Sequence, residues 1–413
     1  MSRKPDKRLI VGLDIGTSKI AALVGEVNES GKVEVIGFGS YPSRGLKRGV
    51  VINIDSTVNS IQRAIEEAEL MAGCKIHSAY TGIAGSHIRS LNSHGIVAIR
   101  DKEVGGTDLE RVIDAAKAVA IPADQKILHI LPQEFVIDTQ EGIREPIGMS
   151  GVRLEAKVHI VTGAVSAAQN ITKCVERCGL AVEDIILEQI ASSYAVLTED
   201  EKDLGVCLVD IGGGTTDIAI FLDGAIRHSA VIPIAGDQVT NDIAVALRTP
   251  TKYAEQIKLA HGSCMPTMVD ANSVIEVPSV ARREPKKVSQ KALSEVIAAR
   301  YEELFTLILA ELRRSGFEDL IAAGIVITGG ASQIEGSVEL AESVFHMPVR
   351  LGMPQHVAGL KDVLGSPIYA TGVGLLLYGY QQETAGQPRH RLSSSSSMKG
   401  VWSRMRNWFQ GNF

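Results

Sequence analysis

The order of apolar and polar positions predicts two strand-and-turn units with nearly the same sequence. LIVGLDIG at 9–16 and VCLVDIGGG at 206–214 each run apolar to an aspartate and then reach glycine, which is typical of a buried strand ending in a sharp turn. DIAIFLDG at 217–224 predicts a strand returning from the second turn. Each unit therefore predicts a β-hairpin whose turn glycines expose backbone N–H groups.

A third strand-and-turn pattern, IVITGGASQIEG, lies at residues 325–336. Its strand leads into a turn at Gly329 and Gly330, and Ser332 with Glu335 predicts a capping box that opens a helix. Paired glycines would let an adenine ring lie against the backbone. A plain strand-to-helix turn has the same pattern, so the motif alone leaves both interpretations open.

Two segments rich in small residues predict helices that approach each other closely. They are IASSYAVL at 190–197 and YATGVGLLLYG at 369–379. Small side chains let helix backbones cross at short distance, which suits a hinge between two lobes. Ordinary tight packing would give the same pattern.

An α+β pattern between Ile83 and Gly163 predicts an inserted domain. Its predicted elements are a strand at 95–100, a helix at 107–119, a strand at 127–138 and a strand at 152–161. Thr107 and Glu110 predict the capping pair of the helix. Alternate positions of the last strand predict one buried face, made of Val152, Leu154, Ala156, Val158 and Ile160.

Composition narrows the class of protein. Of 413 residues, 45% are hydrophobic and 22% are charged, which is typical of a globular protein. The net charge of −6 argues against broad nucleic-acid binding, which needs a basic surface. Without a long uncharged apolar segment, we expect neither a signal peptide nor a spanning helix, and a protein that stays on the cytoplasmic side. Five cysteines without a CxxC pair predict reduced thiols.

The two hairpins carry the chemistry of a phosphate site. Glycine removes the Cβ that would block a phosphate, and the turn amides point into one concavity. Asp14 and Asp210, beside the turns, can position Mg²⁺ directly or through water. Two facing hairpins would clamp one polyphosphate, whereas a single such motif could be only a tight hairpin. Neither motif is a Walker A loop or a Rossmann fingerprint.

The chain ends in a pattern typical of an interfacial helix. A polar segment rich in proline and serine follows Tyr380 and predicts a flexible tether. At about 100° per residue, one face collects the apolar residues. They are Met398, Val401, Trp402, Met405, Trp408 and Phe409, bordered by Lys399, Arg404 and Arg406. Such cations can reach anionic headgroups while the apolar face inserts, although a helix docked on the protein's own body is the alternative.

The densest basic run of the body is SVARREPKKVSQK at residues 279–291. It contains Arg282, Arg283, Lys286, Lys287 and Lys291. A solvated loop is the usual explanation for such a charge run.

The hairpins, the small-residue helices and the third turn, in this order, resemble the actin, Hsp70 and sugar-kinase superfamily. With the insert and the detached amphipathic tail, the chain resembles the bacterial cell-division actin family FtsA. The resemblance implies an α/β, actin-like two-lobed ATPase fold with an inserted α+β subdomain and a C-terminal amphipathic helix. The implied first lobe consists of residues 1–83, 164–200 and 346–385, and the insert of residues 84–163. The implied second lobe consists of residues 201–238 and 300–345, with 239–299 as its small subdomain. Residues 386–397 would be a flexible linker, and residues 398–413 the membrane-targeting helix.

The resemblance also implies an ATP and Mg²⁺ site. Its phosphate contacts fall on Gly16, Thr17, Ser18, Lys19, Gly212, Gly213, Gly214, Thr215 and Thr216. Its Mg²⁺-organising carboxylates fall on Asp14 and Asp210, with Asp217 in support. Its nucleoside contacts fall on Gly236, Asp237, Glu255, Lys258, Gly329, Gly330 and Ser332. Gln189, with Glu188 as second choice, takes the place of the group that orients water, and a glutamine there predicts slow hydrolysis.

The function implied is that of an ATP-binding, actin-like protein that polymerises on the cytoplasmic face of the inner membrane. There it would tether FtsZ, recruit other division proteins to the septal ring and bind anionic lipids as a peripheral protein. The implied contacts to the C-terminal peptide of FtsZ are Arg282, Arg283, Lys286, Lys287 and Arg300.

Three other functions remain to be weighed. A PilM-like pilus-assembly adaptor would also have an insert, but the amphipathic tail argues against it. A soluble kinase of the superfamily would need a general base for an acceptor, and no residue outside the nucleotide motifs suggests one. An Hsp70-like chaperone would need a peptide-binding domain after Gly379, where too few residues remain.

Overall fold

A computed structural model describes residues 9–28, 31–279, 284–360 and 365–384. The predictions for the linker at 386–397 and for the amphipathic helix at 398–413 lie outside the described residues, as do those for Arg282 and Arg283. In the described part, no helix is long and apolar enough to cross a membrane.

The strands are β1 Leu9–Ile15, β2 Lys19–Val27, β3 Val33–Pro42, β4 Leu46–Lys47, β5 Val50–Val51, β6 Ser78–Ile83, β7 Arg89–Ala98, β8 Gln125–Ile137, β9 Gln140–Ile143, β10 Arg153–Ala164, β11 Ala181–Leu187, β12 Val206–Ile211, β13 Thr216–Leu222, β14 Ala225–Ile232, β15 Val274–Val277, β16 Lys286–Ser289, β17 Ile325–Thr328, β18 Val349–Leu351 and β19 Val357–Gly359. The helices are α1 Ile54–Ala72, α2 Gly106–Ala116, α3 Val165–Arg177, α4 Glu188–Val196, α5 Glu199–Leu204, α6 Gly236–Leu247, α7 Thr251–His261, α8 Gln290–Ser315, α9 Ser337–Phe345 and α10 Ala370–Thr384. Short 3-10 turns lie at Glu318–Leu320, Gly330–Gln333 and Pro367–Tyr369.

Each lobe is built on one sheet around one of the two predicted hairpins. The first sheet has the order β11-β6-β1-β2-β3-β19, and the second has the order β14-β13-β12-β17-β18. In each, an antiparallel hairpin, β1–β2 or β12–β13, is joined by a parallel strand on the side of its first member. This repeated arrangement confirms the predicted two-lobed α/β fold.

The two helices rich in small residues, α4 and α10, cross at short distance, as predicted. A Cβ on Gly374 of α10 would lie 1.8 Å from the backbone oxygen of Ala191 in α4. On the other side of α10, a Cβ on Gly12 of β1 would lie 2.7 Å from the oxygen of Gly372. Because only glycine allows these approaches, α10 lies tightly between α4 and the central strand of the first sheet.

The insert is a four-stranded sheet of order β7-β10-β8-β9 with α2 packed on one face. Its core includes Phe135, Leu154, Ala156, Val158 and Ile160, which are fully buried. These residues confirm the predicted face of β10, except that Val152 precedes the strand and is 66% exposed.

The predicted capping pair of α2 is wrong. The helix begins at Gly106 after an N-cap at Gly105, so its third position is Asp108 rather than Glu110. The Asp108 carboxylate accepts the Gly105 N–H at 3.2 Å, which satisfies a donor at the start of the helix. Thr107 thus lies inside the first turn and does not cap it.

The capping box predicted for Ser332 and Glu335 is also wrong. Residues Gly330–Gln333 form a 3-10 turn, and α9 begins only at Ser337, after Gly336 in a left-handed conformation with φ of 79°. The Ser332 hydroxyl donates to the oxygen of Gly329 at 2.7 Å and so closes the 3-10 turn. The extra turn displaces the helix start from the position that the local sequence predicts.

Polar contacts join the insert to β14, the edge strand of the second sheet. His159 of β10 contacts Asn92 Oδ1 through Nδ1 at 2.7 Å and Ser229 Oγ through Nε2 at 2.8 Å. Since Asn92 Oδ1 can only accept, Nδ1 carries the proton and Nε2 accepts the Ser229 hydroxyl. Burial lowers the pKa of His159 from 6.5 to about 3, so the ring is neutral.

Candidate functional site

The turns of the two hairpins face each other across the gap between the lobes. A Cβ on Gly213 would lie 1.9 Å from Ser18 Oγ, and one on Gly214 would lie 2.7 Å from Thr17 Oγ1. A side chain at Gly213 would displace the Ser18 hydroxyl, and one at Gly214 would also meet the backbone of Arg48 at 2.9 Å. The structure thus brings together the two predicted phosphate turns, which are separate in sequence.

Both turns are closed in the same way. The N–H of Gly16 donates to the oxygen of Lys19 at 3.1 Å, and the N–H of Gly212 donates to the oxygen of Thr215 at 3.0 Å. Thr216 begins the returning strand, where its buried hydroxyl donates to the oxygen of Ile234 at 2.8 Å. The shared geometry of the turns follows from their shared sequence pattern.

Asp14 and Asp210 are the next-to-last residues of the first strand of each hairpin. The Asp14 carboxylate is nearly buried and pairs with Lys19 Nζ at 3.1 Å. Asp210 Oδ2 accepts hydrogen bonds from Ser192 Oγ of α4 at 2.5 Å and from Thr371 Oγ1 of α10 at 3.2 Å. Two hydroxyls from the crossing helices therefore hold the carboxylate of the second lobe.

Asp217 lies behind the second turn. Its Oδ2 accepts from Thr215 Oγ1 at 2.9 Å, while its buried Oδ1 has no hydrogen-bond partner in the described part of the chain. Burial, together with the nearby Asp210, raises the pKa of Asp217 to about 8. A buried polar atom without a partner fits a site that a ligand or water completes.

Glu188 and Gln189, at the start of α4, have opposite surroundings. Burial raises the pKa of Glu188 well above its usual value, and the charges of Asp14, Asp217 and Asp210 add to the shift. The Gln189 side chain is completely buried, and neither polar atom of its amide has a hydrogen-bond partner among the described residues. Glu188 thus lies within reach of the charges of the cleft aspartates, whereas the expectation that Gln189 orients a water stays a prediction.

The residues expected at the nucleoside meet at the start of α6. The N–H of Asp237 donates to the oxygen of Gly213 at 2.8 Å, which joins α6 to the second turn. Lys258 Nζ donates to the oxygen of Gly236 at 3.1 Å and pairs with Glu255 at 2.7 Å. Burial raises the pKa of Asp237, and the nearby Lys258 limits that rise. Four of the predicted nucleoside contacts thus form one wall beside the phosphate turn.

The third glycine turn adjoins the same wall. Gly329 has φ of 87°, and a Cβ there would lie 2.3 Å from Asp210 Oδ1, so both backbone conformation and space require glycine. At Gly330 a Cβ would lie 3.6 Å from the side chain of Ile368, an ordinary packing distance, so space does not require glycine there. Ser332 is 1% exposed and supports the turn rather than facing the cleft.

The acidic cluster does not form a closed metal cage. Among the described residues, no three His, Cys, Asp or Glu side chains are placed to hold a metal ion together. Mg²⁺ in nucleotide sites usually takes one or two carboxylates, several waters and phosphate oxygens. The arrangement of Asp14 and Asp210 fits that mode, with contact through water.

The predicted basic surface is divided. Lys286 and Lys287 are exposed on β16. Arg300 of α8 pairs with both carboxylate oxygens of Asp242, at 2.5 and 3.1 Å, and also contacts Glu303. Its guanidinium is therefore already occupied by acidic groups of the same lobe.

Comparison with known proteins identifies the family. The chain is 67% identical over 410 residues to the cell division protein FtsA of Pseudomonas aeruginosa, and the match covers 98% of each protein. It is 47% identical to the cell division protein FtsA of Escherichia coli strain K12, and that match covers 100% of each. The chain belongs to the FtsA family. The FtsA family model, described as cell division protein FtsA, matches residues 207–374, and the model for the SHS2 domain inserted in FtsA matches residues 85–162.

Solved structures of low identity share the fold. A PilM–PilN type IV pilus biogenesis complex matches with a TM-score of 0.66 at 16% identity, covering 90% of this chain and 98% of that one. MreB5 of Spiroplasma citri bound to AMPPNP matches with a TM-score of 0.57 at 16% identity, covering 92% and 98%. A MamK double helical filament matches with a TM-score of 0.51 at 15% identity, covering 92% and 100%. These likenesses confirm the actin-like fold.

Sequence reasoning missed two residues of the site, Ser192 and Thr371. Both lie in the helices rich in small residues, where the pattern indicated only close packing. Their signal was a small hydroxyl residue at the part of each helix that was expected to meet the other. The distance between them along the chain hid their shared partner, Asp210.

Proposed function

We propose that this FtsA-family protein binds ATP with Mg²⁺ between its two hairpins, polymerises on the cytoplasmic face of the inner membrane and tethers FtsZ there. In this role it recruits other division proteins to the septal ring. The observation that carries the proposal is the contact between the two turns, at Ser18 and Gly213, with Asp14 and Asp210 beside them.

The nucleotide part of the proposal rests on the chemistry of the cleft. Turn amides of both hairpins receive the phosphates, and Glu255 and Lys258 lie beside the ribose or base. Asp14 and Asp210 would hold a hydrated Mg²⁺, which would neutralise phosphate charge. Glu188, beside the three aspartates, is the group that contacts the attacking water. The solved structure of MreB5 with AMPPNP supports nucleotide binding by this fold.

The membrane part rests on the sequence of the tail. The apolar face that includes Trp402 and Trp408 inserts between lipids, and Arg404 and Arg406 contact anionic headgroups. Folding the tail on the membrane opposes this gain, so one tail binds weakly. A filament that presents many tails binds firmly, because each further tail acts at high effective concentration. The MamK filament supports polymerisation by this fold.

The proposed FtsZ-binding surface includes Arg300, whose guanidinium is already paired with Asp242. An acidic peptide attracted by Lys286 and Lys287 would replace Asp242 as the partner of Arg300, so the internal ion pair sets the peptide's affinity. The sequence proposals for Arg282 and Arg283 add further positive charge to the same lobe.

A recruitment experiment tests the proposal as a whole. Vesicles containing anionic lipid are mixed with the full chain, Mg²⁺, ATP and a fluorescent peptide that carries the C-terminal residues of FtsZ. We expect the peptide to float with the vesicles only when both protein and ATP are present. Flotation of the protein without the peptide would reject the tethering role, and failure of both to float would reject the membrane role.

A further inference from the structure

The short hairpin between β3 and α1 carries an arginine in an unusual backbone conformation. Strands β4 and β5 pair with Leu46 opposite Val51 and Lys47 opposite Val50, which leaves Arg48 and Gly49 as the turn. Their φ values are 51° and 74°. A two-residue turn with two positive φ angles favours Asn-Gly or Asp-Gly, because Asn and Asp tolerate the left-handed region. Arginine at its first position has no local conformational advantage.

This turn touches both phosphate hairpins. The N–H of Gly49 donates to Thr17 Oγ1, in the first hairpin, at 2.9 Å. A Cβ on Gly214, in the second hairpin, would lie 2.9 Å from Arg48 Cα. Strained residues that the surrounding structure holds in place are often functional, and here the surroundings are the two turns of the nucleotide site.

The turn lies at the Glu188 end of the site. A Cβ on Gly49 would lie 2.9 Å from the backbone of Ala84, immediately after β6. Strand β6 pairs with β11, which leads directly into Glu188. Lys258, at the nucleoside wall, lies on the other lobe. A polyphosphate that spans the site from the nucleoside wall therefore has its terminal phosphate towards Arg48.

The charges of the site leave a role for another cation. Lys19 is paired with Asp14, and Lys258 is paired with Glu255. Arg48 is exposed, and in the described residues its side chain makes no ion pair or hydrogen bond. A bound triphosphate brings more negative charge than one Mg²⁺ neutralises, and the two lysines already have carboxylate partners.

We propose that Arg48 is a nucleotide-binding residue whose guanidinium contacts the terminal phosphate of a bound nucleoside triphosphate. Its planar fork donates two parallel hydrogen bonds to phosphate oxygens, a geometry that lysine lacks. The inference rests on the proposed nucleotide site and adds a residue of the first lobe that distinguishes triphosphate from diphosphate. It also explains why an arginine occupies a turn position suited to asparagine.

Calorimetric titration of the full chain with AMPPNP and with ADP, each with Mg²⁺, tests the role of Arg48. We expect Arg48→Asn to weaken AMPPNP binding by about tenfold or more, since a hydrogen bond to a charged group is lost, and to affect ADP less. Arg48→Lys should bind AMPPNP with intermediate affinity. Lys47→Gln, which removes a neighbouring cation from the same hairpin, is the matched control and should bind like the parent.

Thermal unfolding of the same proteins separates binding from folding. Asparagine favours the left-handed conformation, so Arg48→Asn should keep or raise the melting temperature while it loses AMPPNP affinity. Arg48→Gly is a second variant compatible with the turn, and it should likewise keep its melting temperature and lose AMPPNP affinity. Unchanged AMPPNP affinity in Arg48→Asn, or equal losses for both nucleotides, would overturn the role of Arg48. A parent that binds neither nucleotide would instead overturn the proposed nucleotide site itself.

Discussion

The hydroxyl of Ser192 donates a 2.5 Å hydrogen bond to the carboxylate of Asp210, and this contact joins α4 to the second phosphate hairpin. Thr371 of α10 donates to the same oxygen at 3.2 Å. The two helices that cross between the lobes therefore bind the Asp210 carboxylate directly, beside the proposed nucleotide site. A movement of the helices would move Asp210, and a ligand on Asp210 would bias the helices in return.

Removal of the Ser192 hydroxyl should weaken nucleotide binding. Ser192→Ala leaves Asp210 with Thr371 as its remaining hydroxyl donor, and the loss of a hydrogen bond to a charged group costs about 1.5–3 kcal/mol. We expect about tenfold weaker binding of AMPPNP with Mg²⁺, measured by calorimetry. Ser193→Ala is the matched control, because the buried Ser193 hydroxyl donates to Ile190 within α4. Equal affinities of the two variants would show that the contact to Asp210 does not support binding.

The close crossing of α4 and α10 should not tolerate a methyl group at Gly374. A Cβ there would meet the backbone oxygen of Ala191 at 1.8 Å, so the helices would have to separate. We expect Gly374→Ala to lower the free energy of unfolding by about 3 kcal/mol or more, measured by denaturant titration. Gly106→Ala, where a Cβ would have no atom within 4 Å, should leave stability unchanged or slightly higher. A stable Gly374→Ala protein would contradict the described crossing.

The contact between the insert and β14 should weaken in acid. The pKa of His159 is about 3 in the folded protein against 6.5 ordinarily, so the unfolded chain binds a proton first as the pH falls. The native state thus loses about 1.4 kcal/mol for each pH unit below the ordinary value, and the loss is absent above it. His159→Gln should flatten the dependence of unfolding free energy on pH between 6.5 and about 4.5.

The control for this pH dependence is His94, which is exposed on β7 of the same insert. His94→Gln should retain the pH dependence of the parent. If both variants retained it, His159 would not be the group responsible.

The ion pair between Arg300 and Asp242 should compete with an acidic peptide. Asp242→Asn removes one of the two carboxylates that pair with Arg300, and we expect this variant to bind the FtsZ peptide about two- to fivefold more tightly at low salt, whereas Arg300→Ala binds it more weakly. Fluorescence anisotropy of the labelled peptide measures both. Glu318→Gln, which breaks the exposed pair with Arg313, is the control and should have no effect. Weaker binding by Asp242→Asn would reject the competition.

Local sequence predicted the parts of this fold that depend on neighbouring residues. The aspartate and glycines of 14–16 and 210–214 specify a strand and its turn within a few residues, and both hairpins are present. The start of α2 was missed because two acceptors, Thr107 and Asp108, compete within one turn, and backbone geometry selects the second.

Features that depend on distant contacts were not visible in the sequence. Glu188 and Gln189 are adjacent, and only the packing of α4 decides which one meets the carboxylates. The pair of Arg300 with Asp242 joins two helices, and no local pattern predicts their contact. The contacts of the Arg48–Gly49 turn, through Gly49 with Thr17 and through Arg48 with Gly214, likewise join residues that are distant in sequence.

Co-sedimentation with anionic liposomes tests most directly the claim that nucleotide and membrane binding are coupled. The full chain is compared with a chain that ends before Met398, each with and without ATP and Mg²⁺. We expect ATP to increase pelleting of the full chain, because filaments present many tails, and to have no effect on the shortened one. Equal pelleting of both chains, or pelleting of neither, would contradict a filament-forming membrane tether.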